Sequence, residues 1–137
     1  MNFNALIPEL RAFDFAKSLK FYTEVLGFKL EYERKESKFA FLSLEGTQIM
    51  IEQSTPEWNT GKIDYPYGRG IHLQITVKSI EKLLDSLNKL DYPLYVEPFE
   101  REYKVKNKLI QLRQFLVKDP DGYLLRFVEN LGQNNSF

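Results

Sequence analysis

Arg113–Asn130 reads RQFLVKDPDGYLLRFVEN, and two of its runs, Gln114–Val117 and Tyr123–Val128, stand on either side of Asp119-Pro120-Asp121-Gly122. Proline presets the backbone for the second position of a tight turn, and glycine accepts the positive φ that closes it. The flanking runs are rich in Phe, Val, Leu and Tyr, so the stretch predicts a β-hairpin. Its second strand carries Arg126 between Leu125 and Phe127. A cation among apolar neighbours in a strand needs a partner, water or a ligand.

Upstream of the hairpin one order of elements occurs twice. Ala5–Leu10 is short and apolar with Pro8 inside it, which predicts an edge or irregular strand. Asp14 stands where a helix N-cap belongs, Phe15, Leu19, Tyr22 and Leu26 share one helical face, and Gly27 follows as a C-terminal stop. The spacing predicts a helix over Asp14–Leu26. Strands follow at Phe28–Arg34, Phe39–Leu44 and Thr47–Gln53, with a charged loop at Lys35–Lys38 and a tight turn at Glu45-Gly46.

The second round begins with Ile71–Val77, where Ile71, Leu73, Ile75 and Val77 alternate with His72, Gln74 and Thr76. Ser79 is the expected cap of a second helix whose face is Ile80, Leu83, Leu84 and Leu87. Tyr92–Phe99 reads as a strand broken by two prolines, and the charged Glu100–Ile110 as a loop, before the final hairpin. Between the rounds, residues 54–69 hold Pro56, Gly61, Pro66 and Gly68 with Trp58, Tyr65 and Tyr67, a long loop of the kind that carries function or joins two halves.

The fold class expected is therefore α+β. Two βαβββ halves, about 1–53 and 70–130, form one domain over 1–132. Their curved antiparallel sheets make an open half-barrel with helices outside, because neither half covers its own sheet alone. Residues 133–137 read as a tail with little reason to be ordered.

Composition narrows the function. With 137 residues the chain is long enough for one core. Its formal net charge of +0 argues against nucleic acid or an anionic membrane as partner. The absence of cysteine removes disulfides and thiolate chemistry. No apolar run reaches the roughly 20 residues a helical span needs, and Met1–Asn4 does not open a signal peptide, so the expected location is the cytoplasm. Eleven Phe and eight Tyr are abundant; aromatics fill cores and also line pockets for flat ligands.

Asp14, Ser18-Leu19, Phe21-Tyr22 and Leu26-Gly27-Phe28, then Gly70–Val77, then Asp119–Gly122, resemble in order and spacing the glyoxalase/bleomycin resistance/dioxygenase (vicinal oxygen chelate) superfamily. The paired βαβββ fold comes with that resemblance. It also implies, for the members that are metalloenzymes, ligands at the positions held here by Ile7, Glu52, His72 and Arg126. Isoleucine offers no lone pair and arginine stays protonated. The expectation is thus no metal and no cofactor, with Arg126 in the cation's place paired to Glu52, or else bent to solvent with Glu52 a rim residue, and His72 either bonded to Glu52 or a hydrogen-bonded histidine with no ligand role. Without a Lewis acid, a thiol or a serine–histidine pair, no residue set demands catalysis.

Leu124-Leu125-Arg126 and Ile7-Pro8-Glu9-Leu10 resemble the bleomycin-resistance branch, whose members are described as homodimers that sequester the drug in clefts. The resemblance implies a small-molecule ligand of aromatic or amphipathic character, and a homodimer. Candidate ligand-binding residues are Glu52, His72 and Arg126, with Trp58, Tyr65, Tyr67, Tyr103, Phe41, Phe115 and Glu9; for the strand phenylalanines a place in the core is the competing reading. The alternative function is a metal-dependent lyase, dioxygenase or thiol transferase using Glu52 and His72.

Overall fold

The structure is a computed structural model, and it describes residues 1–134. The chain divides into two compact units, Met1–Tyr67 with Asp119–Tyr123, and Gly68–Lys118 with the chain from Leu124. Each contains one βαβββ round and one four-stranded sheet, and the fold class is α+β.

In the first unit the elements are β1 (Glu9–Ala12), α1 (Phe15–Lys20) with a wider π-helical turn at Phe21–Val25, β2 (Lys29–Arg34), β3 (Phe39–Leu44) and β4 (Thr47–Gln53). Asp14 caps the helix as its type predicts, its carboxylate accepting from Lys17 N at 3.2 Å. The π-helical turn has a local cause. Thr23 Oγ1 donates to Leu19 O at 2.7 Å, and Leu26 N reaches back five residues to Phe21 O. Gly27 then takes φ +80 and stops the helix.

The sheet order is β1-β4-β3-β2. β1 runs parallel to β4, with Leu10 opposite Ile51 and Arg11 opposite Glu52. The expectation of wholly antiparallel sheets is corrected here: the helix between the first strand and the rest returns the chain so that only a parallel pairing forms. The first strand also lies later than Ala5–Leu10. Alternation sends Leu10, Ala12, Ala40, Leu42, Ile49 and Ile51 to one buried face. Gln53 marks that face as the helix side, since its amide bonds Phe15 N and Phe13 O.

The second unit holds β5 (His72–Thr76), α2 (Glu81–Lys89), β6 (Val96–Val105), β7 (Lys108–Lys118) and β8 (Leu124–Asn134), in the sheet order β5-β8-β7-β6. β5 is parallel to β8. The expected loop at Glu100–Ile110 is instead the tip of a long hairpin, in which Val105 pairs with Lys108 around Lys106-Asn107. Lys106 adopts φ +56, the left-handed conformation that two-residue hairpins require. The expected tail over 133–137 is likewise corrected, because β8 continues through Asn134; the rest of that tail, residues 135–137, lies outside the described residues.

Ile75, Val77, Ile80, Leu83, Leu87, Phe115, Val117, Leu125 and Phe127 form the buried core of this unit. Ser79 is not the cap residue expected. Its hydroxyl accepts from Glu81 N at 3.3 Å, but the cap position is Ile80, whose N–H is taken by Glu129 Oε1 of β8 at 3.0 Å. Glu129 also places a negative charge at the helix N-terminus. Arg113 of β7 pairs with Glu81, so Glu129 and Arg113 identify the helix side of this second sheet.

The turn between β7 and β8 belongs to the first unit and ties its parts together. Asp119 Oδ1 accepts from Asp121 N (2.9 Å) and Tyr123 N (3.0 Å), and its Oδ2 accepts from Tyr22 OH (2.8 Å). Asp121 accepts from Ser18 Oγ (3.1 Å) and Phe13 N (3.2 Å). Tyr123 OH accepts from Arg11 N at 3.0 Å. The motif that decides the fold is thus a knot of buried carboxylates satisfied by helix and strand donors. Burial, the largest cause, lifts Asp119 to about 6 and also raises Asp121, while Tyr22 is held well above its ordinary value, first by burial and then by Asp119.

Candidate functional site

All the candidate residues except Phe115 fall on the helix-free faces of the two sheets and on the loop after β4. In the first unit, alternation sends Glu9 and Arg11 of β1, Met50 and Glu52 of β4, and Phe39 and Phe41 of β3 to the face away from α1. Tyr32 of β2 stacks on Phe41, ring centroids 5.2 Å apart and nearly parallel. Arg34 lies 3.9 Å above the Phe39 ring. Phe3 of the N-terminal segment meets Phe41 edge-on at 5.4 Å, and Asn4 N donates to Gln48 Oε1 beside it. Phe41 is fully buried, so it forms a floor rather than a contact surface.

Glu52 is half-buried and accepts from Arg11 Nη1 at 3.0 Å. The second nitrogen of the same guanidinium donates to Glu57 O at 2.6 Å. Arg11 therefore clamps β4 to the start of the long loop. The next residue, Trp58, adopts φ +62 and is 85% exposed. It lines a cavity of about 340 Å³ with Glu9, Arg11 and the 59–63 segment. Tyr65 is exposed, while Tyr67 is buried against Tyr123 in an edge-on contact and reads as part of the scaffold.

In the second unit, His72, Gln74 and Thr76 of β5 are exposed on the helix-free face. Arg126 of β8 shares that face, paired in register with Gln74. Its Nε donates to Gln114 Oε1 at 2.7 Å, and Gln114 Nε2 donates to Tyr103 OH at 2.7 Å. The guanidinium carbon lies 5.6 Å from the centre of the Tyr103 ring. Phe115 does not share this face. It is fully buried, stacked on Phe127 on the helix side, and so lies in the core.

Glu52 and Arg126 each have a partner inside their own unit, Arg11 for Glu52 and Gln114 for Arg126. His72 makes no side-chain hydrogen bond among the described residues. Sequence reasoning overlooked Arg11 and Gln114. The alternation of Arg11 with Leu10 and Ala12 was the available signal for the first; a buried glutamine in a strand has no local signature.

Of the positions where the family resemblance implies metal ligands, Ile7 has no lone pair to give and Arg126 is a guanidinium, so those two side chains do not fit a metal ion; Glu52 accepts a salt bridge from Arg11. Among the described residues no three His, Asp or Glu side chains gather as they would around a metal.

The sequence model of the Glyoxalase/Bleomycin resistance protein/Dioxygenase superfamily matches residues 5–127. This chain belongs to that superfamily. Among curated relatives, a probable lactoylglutathione lyase of Vibrio cholerae is 32% identical, the match covering 94% of this chain and 92% of that one. A bleomycin resistance protein of Geobacillus stearothermophilus is 28% identical, over 91% and 96% of the two chains. Solved structures share the fold at lower identity. TioX from Micromonospora sp. ML1 aligns with a TM-score of 0.68 at 18% identity, covering 93% and 99%. A glyoxalase/bleomycin resistance protein/dioxygenase from Alicyclobacillus acidocaldarius aligns at 0.65 and 21%, covering 94% and 92%. No helix among the described residues is long and apolar enough to cross a membrane.

Proposed function

We propose that this superfamily member binds a small, flat or amphipathic molecule without a metal ion and performs no chemistry on it. One observation carries the reading: Arg126, at a position where the family resemblance implies a metal ligand, is a guanidinium tied through Nε to a buried glutamine. A fixed positive charge excludes a second cation from the same place. It also supplies a recognition group of a different kind, a fork of N–H donors. The exposed Trp58 beside its cavity offers an aromatic face, and Arg11 holds the loop that presents it.

In its finer form the proposal is sequestration of a bleomycin-type drug or a similar ligand in the cleft of a homodimer. Support comes from the relatives named bleomycin resistance protein, and from β1 as an edge strand with exposed Leu6 and Phe13 next to it. The test has two arms. Elemental analysis of protein purified without chelator, then exposed to Zn, Ni, Mn and Fe and dialysed, is expected to find no stoichiometric metal. Calorimetric titration with bleomycin is expected to give saturable heat, and no heat removes the drug form of the reading.

A second reading is favoured by the relatives named probable lactoylglutathione lyase, at 32% identity. It makes Glu52 and His72 ligands of a catalytic metal and requires Glu52 to leave Arg11. Stoichiometric metal lost in both Glu52→Gln and His72→Ala variants would establish it in place of the first.

A further inference from the structure

We propose that the helix-free face of the second unit is an oxyanion receptor, in which the two Nη groups of Arg126 take a carboxylate or phosphonate carried on a flat ligand. This names the ligand class for the metal-free binding reading and rests on it.

Gln114 is fully buried, and its amide is committed at both ends, accepting from Arg126 Nε and donating to Tyr103 OH, each at 2.7 Å. A buried amide with both ends used cannot rotate without losing both bonds, so it fixes the tilt of the guanidinium plane. The Tyr103 ring supports that plane from one side. With Nε engaged, the terminal edge of the fork points away from Gln114. Neither Nη has a hydrogen-bond or ion-pair partner among the described residues, and the residue is only half-buried.

An oriented guanidinium edge with no carboxylate is the complement of a planar oxyanion. The surrounding charge agrees. By strand alternation the same face carries Arg101, which lies over the Phe99 ring, and Lys118 at the far end of β7. Glu100, Glu102 and Glu129 alternate to the opposite face. Glu97 lines the groove beside α2. The chain as a whole is neutral, so this single-sign face is local and favours an anion over a cation. Gln74, beside Arg126 in register, adds a neutral donor for a second oxygen.

The experiment follows the Arg126 Nε–H and Gln114 side-chain amide signals of the ¹⁵N-labelled full chain by NMR. Benzoate, phenylphosphonate, inorganic phosphate and benzamidine are titrated separately. Benzoate or phenylphosphonate is expected to saturate and to shift both signals, inorganic phosphate to shift them more weakly, and benzamidine to leave them unmoved. Arg126→Lys keeps the charge but loses the fork, and is expected to weaken the aromatic anion about tenfold or more. Tyr103→Phe keeps the ring and removes the acceptor for Gln114, and is expected to weaken it severalfold; the exposed Lys82→Gln is the unchanged control. The inference is overturned if no oxyanion saturates, if benzamidine shifts the same signals, or if Arg126→Lys binds equally well. Bleomycin binding with the Arg126 signal unmoved would sink the oxyanion assignment and leave metal-free binding standing. Stoichiometric metal would sink the metal-free reading and this inference with it.

Discussion

Tyr22 OH donates to Asp119 Oδ2 at 2.8 Å, and both side chains are buried. The bond joins the first helix to the turn between the last two strands. Removing the hydroxyl leaves a buried carboxylate short of one donor, which costs about 1–3 kcal/mol. Tyr22→Phe is therefore expected to lower the unfolding free energy in urea by that amount at about pH 7.5, and by less at about pH 5, where a protonated Asp119 needs the donor less. An equal loss at both pH values would show that the carboxylate is not the group being satisfied.

Asp119 itself sets a pH dependence. Burial raises it from 3.8 to about 6. Between those values the folded chain binds a proton that the unfolded chain has released. Its contribution to stability is thus fully present below about pH 4 and is lost as pH rises through about 6, up to about 3 kcal/mol in all. Asp121 is shifted in the same direction. Asp119→Asn keeps an acceptor for the two backbone N–H groups and is expected to flatten the stability profile across that window. A slope unchanged from wild type would assign the dependence elsewhere.

Gly122 tests the close packing around the same turn. It adopts φ +94, and a Cβ there would lie 2.5 Å from Pro66 Cβ and 2.6 Å from its Cα. Gly27 has φ +80 but nothing within 4 Å of the same atom. Gly27→Ala should cost about 1 kcal/mol, the conformational term alone. Gly122→Ala must also displace backbone and should cost about 2 kcal/mol or more. Thermal denaturation of the two variants side by side gives the comparison, and equal melting temperatures would contradict the contact.

These local devices were legible because each leaves its mark within a few residues. Asp14 before an apolar helical face, Gly27 after it, and Asp119–Gly122 between two apolar runs each announce an element. The β6–β7 hairpin was not legible for a related reason. Glu100, Arg101, Glu102, Lys104 and Lys106 are exposed, so ladder hydrogen bonds hold the hairpin rather than a buried face, and period-two apolarity is weak. The cap of α2 was misread because the cap position is Ile80 and not Ser79, and its N–H is taken by Glu129, fifty residues from Ser79 in sequence and outside any local pattern. The site shows the same division. Glu52 and Arg126 stand out as charges in strands. Their partners do not, since Arg11 meets Glu52 only through the parallel β1–β4 register and Gln114 reaches Arg126 only across the β7–β8 ladder.

Arg11 offers the most direct test of the first unit's site, because Trp58 is the single tryptophan of the chain. The guanidinium holds Glu52 with Nη1 and Glu57 O with Nη2, one residue before that indole. Arg11→Ala removes both contacts while leaving its backbone N–H on Tyr123 OH. The loop should then move on the nanosecond scale, and the steady-state fluorescence anisotropy of Trp58 should fall. Glu52→Gln keeps a neutral acceptor and should reduce it less. Arg34→Ala, which disturbs the contacts with the Phe39 and Tyr32 rings on the same sheet face, should leave anisotropy unchanged. If Arg11→Ala leaves it unchanged as well, the loop is held by its own packing, and the clamp has no part in presenting the aromatic face to a ligand.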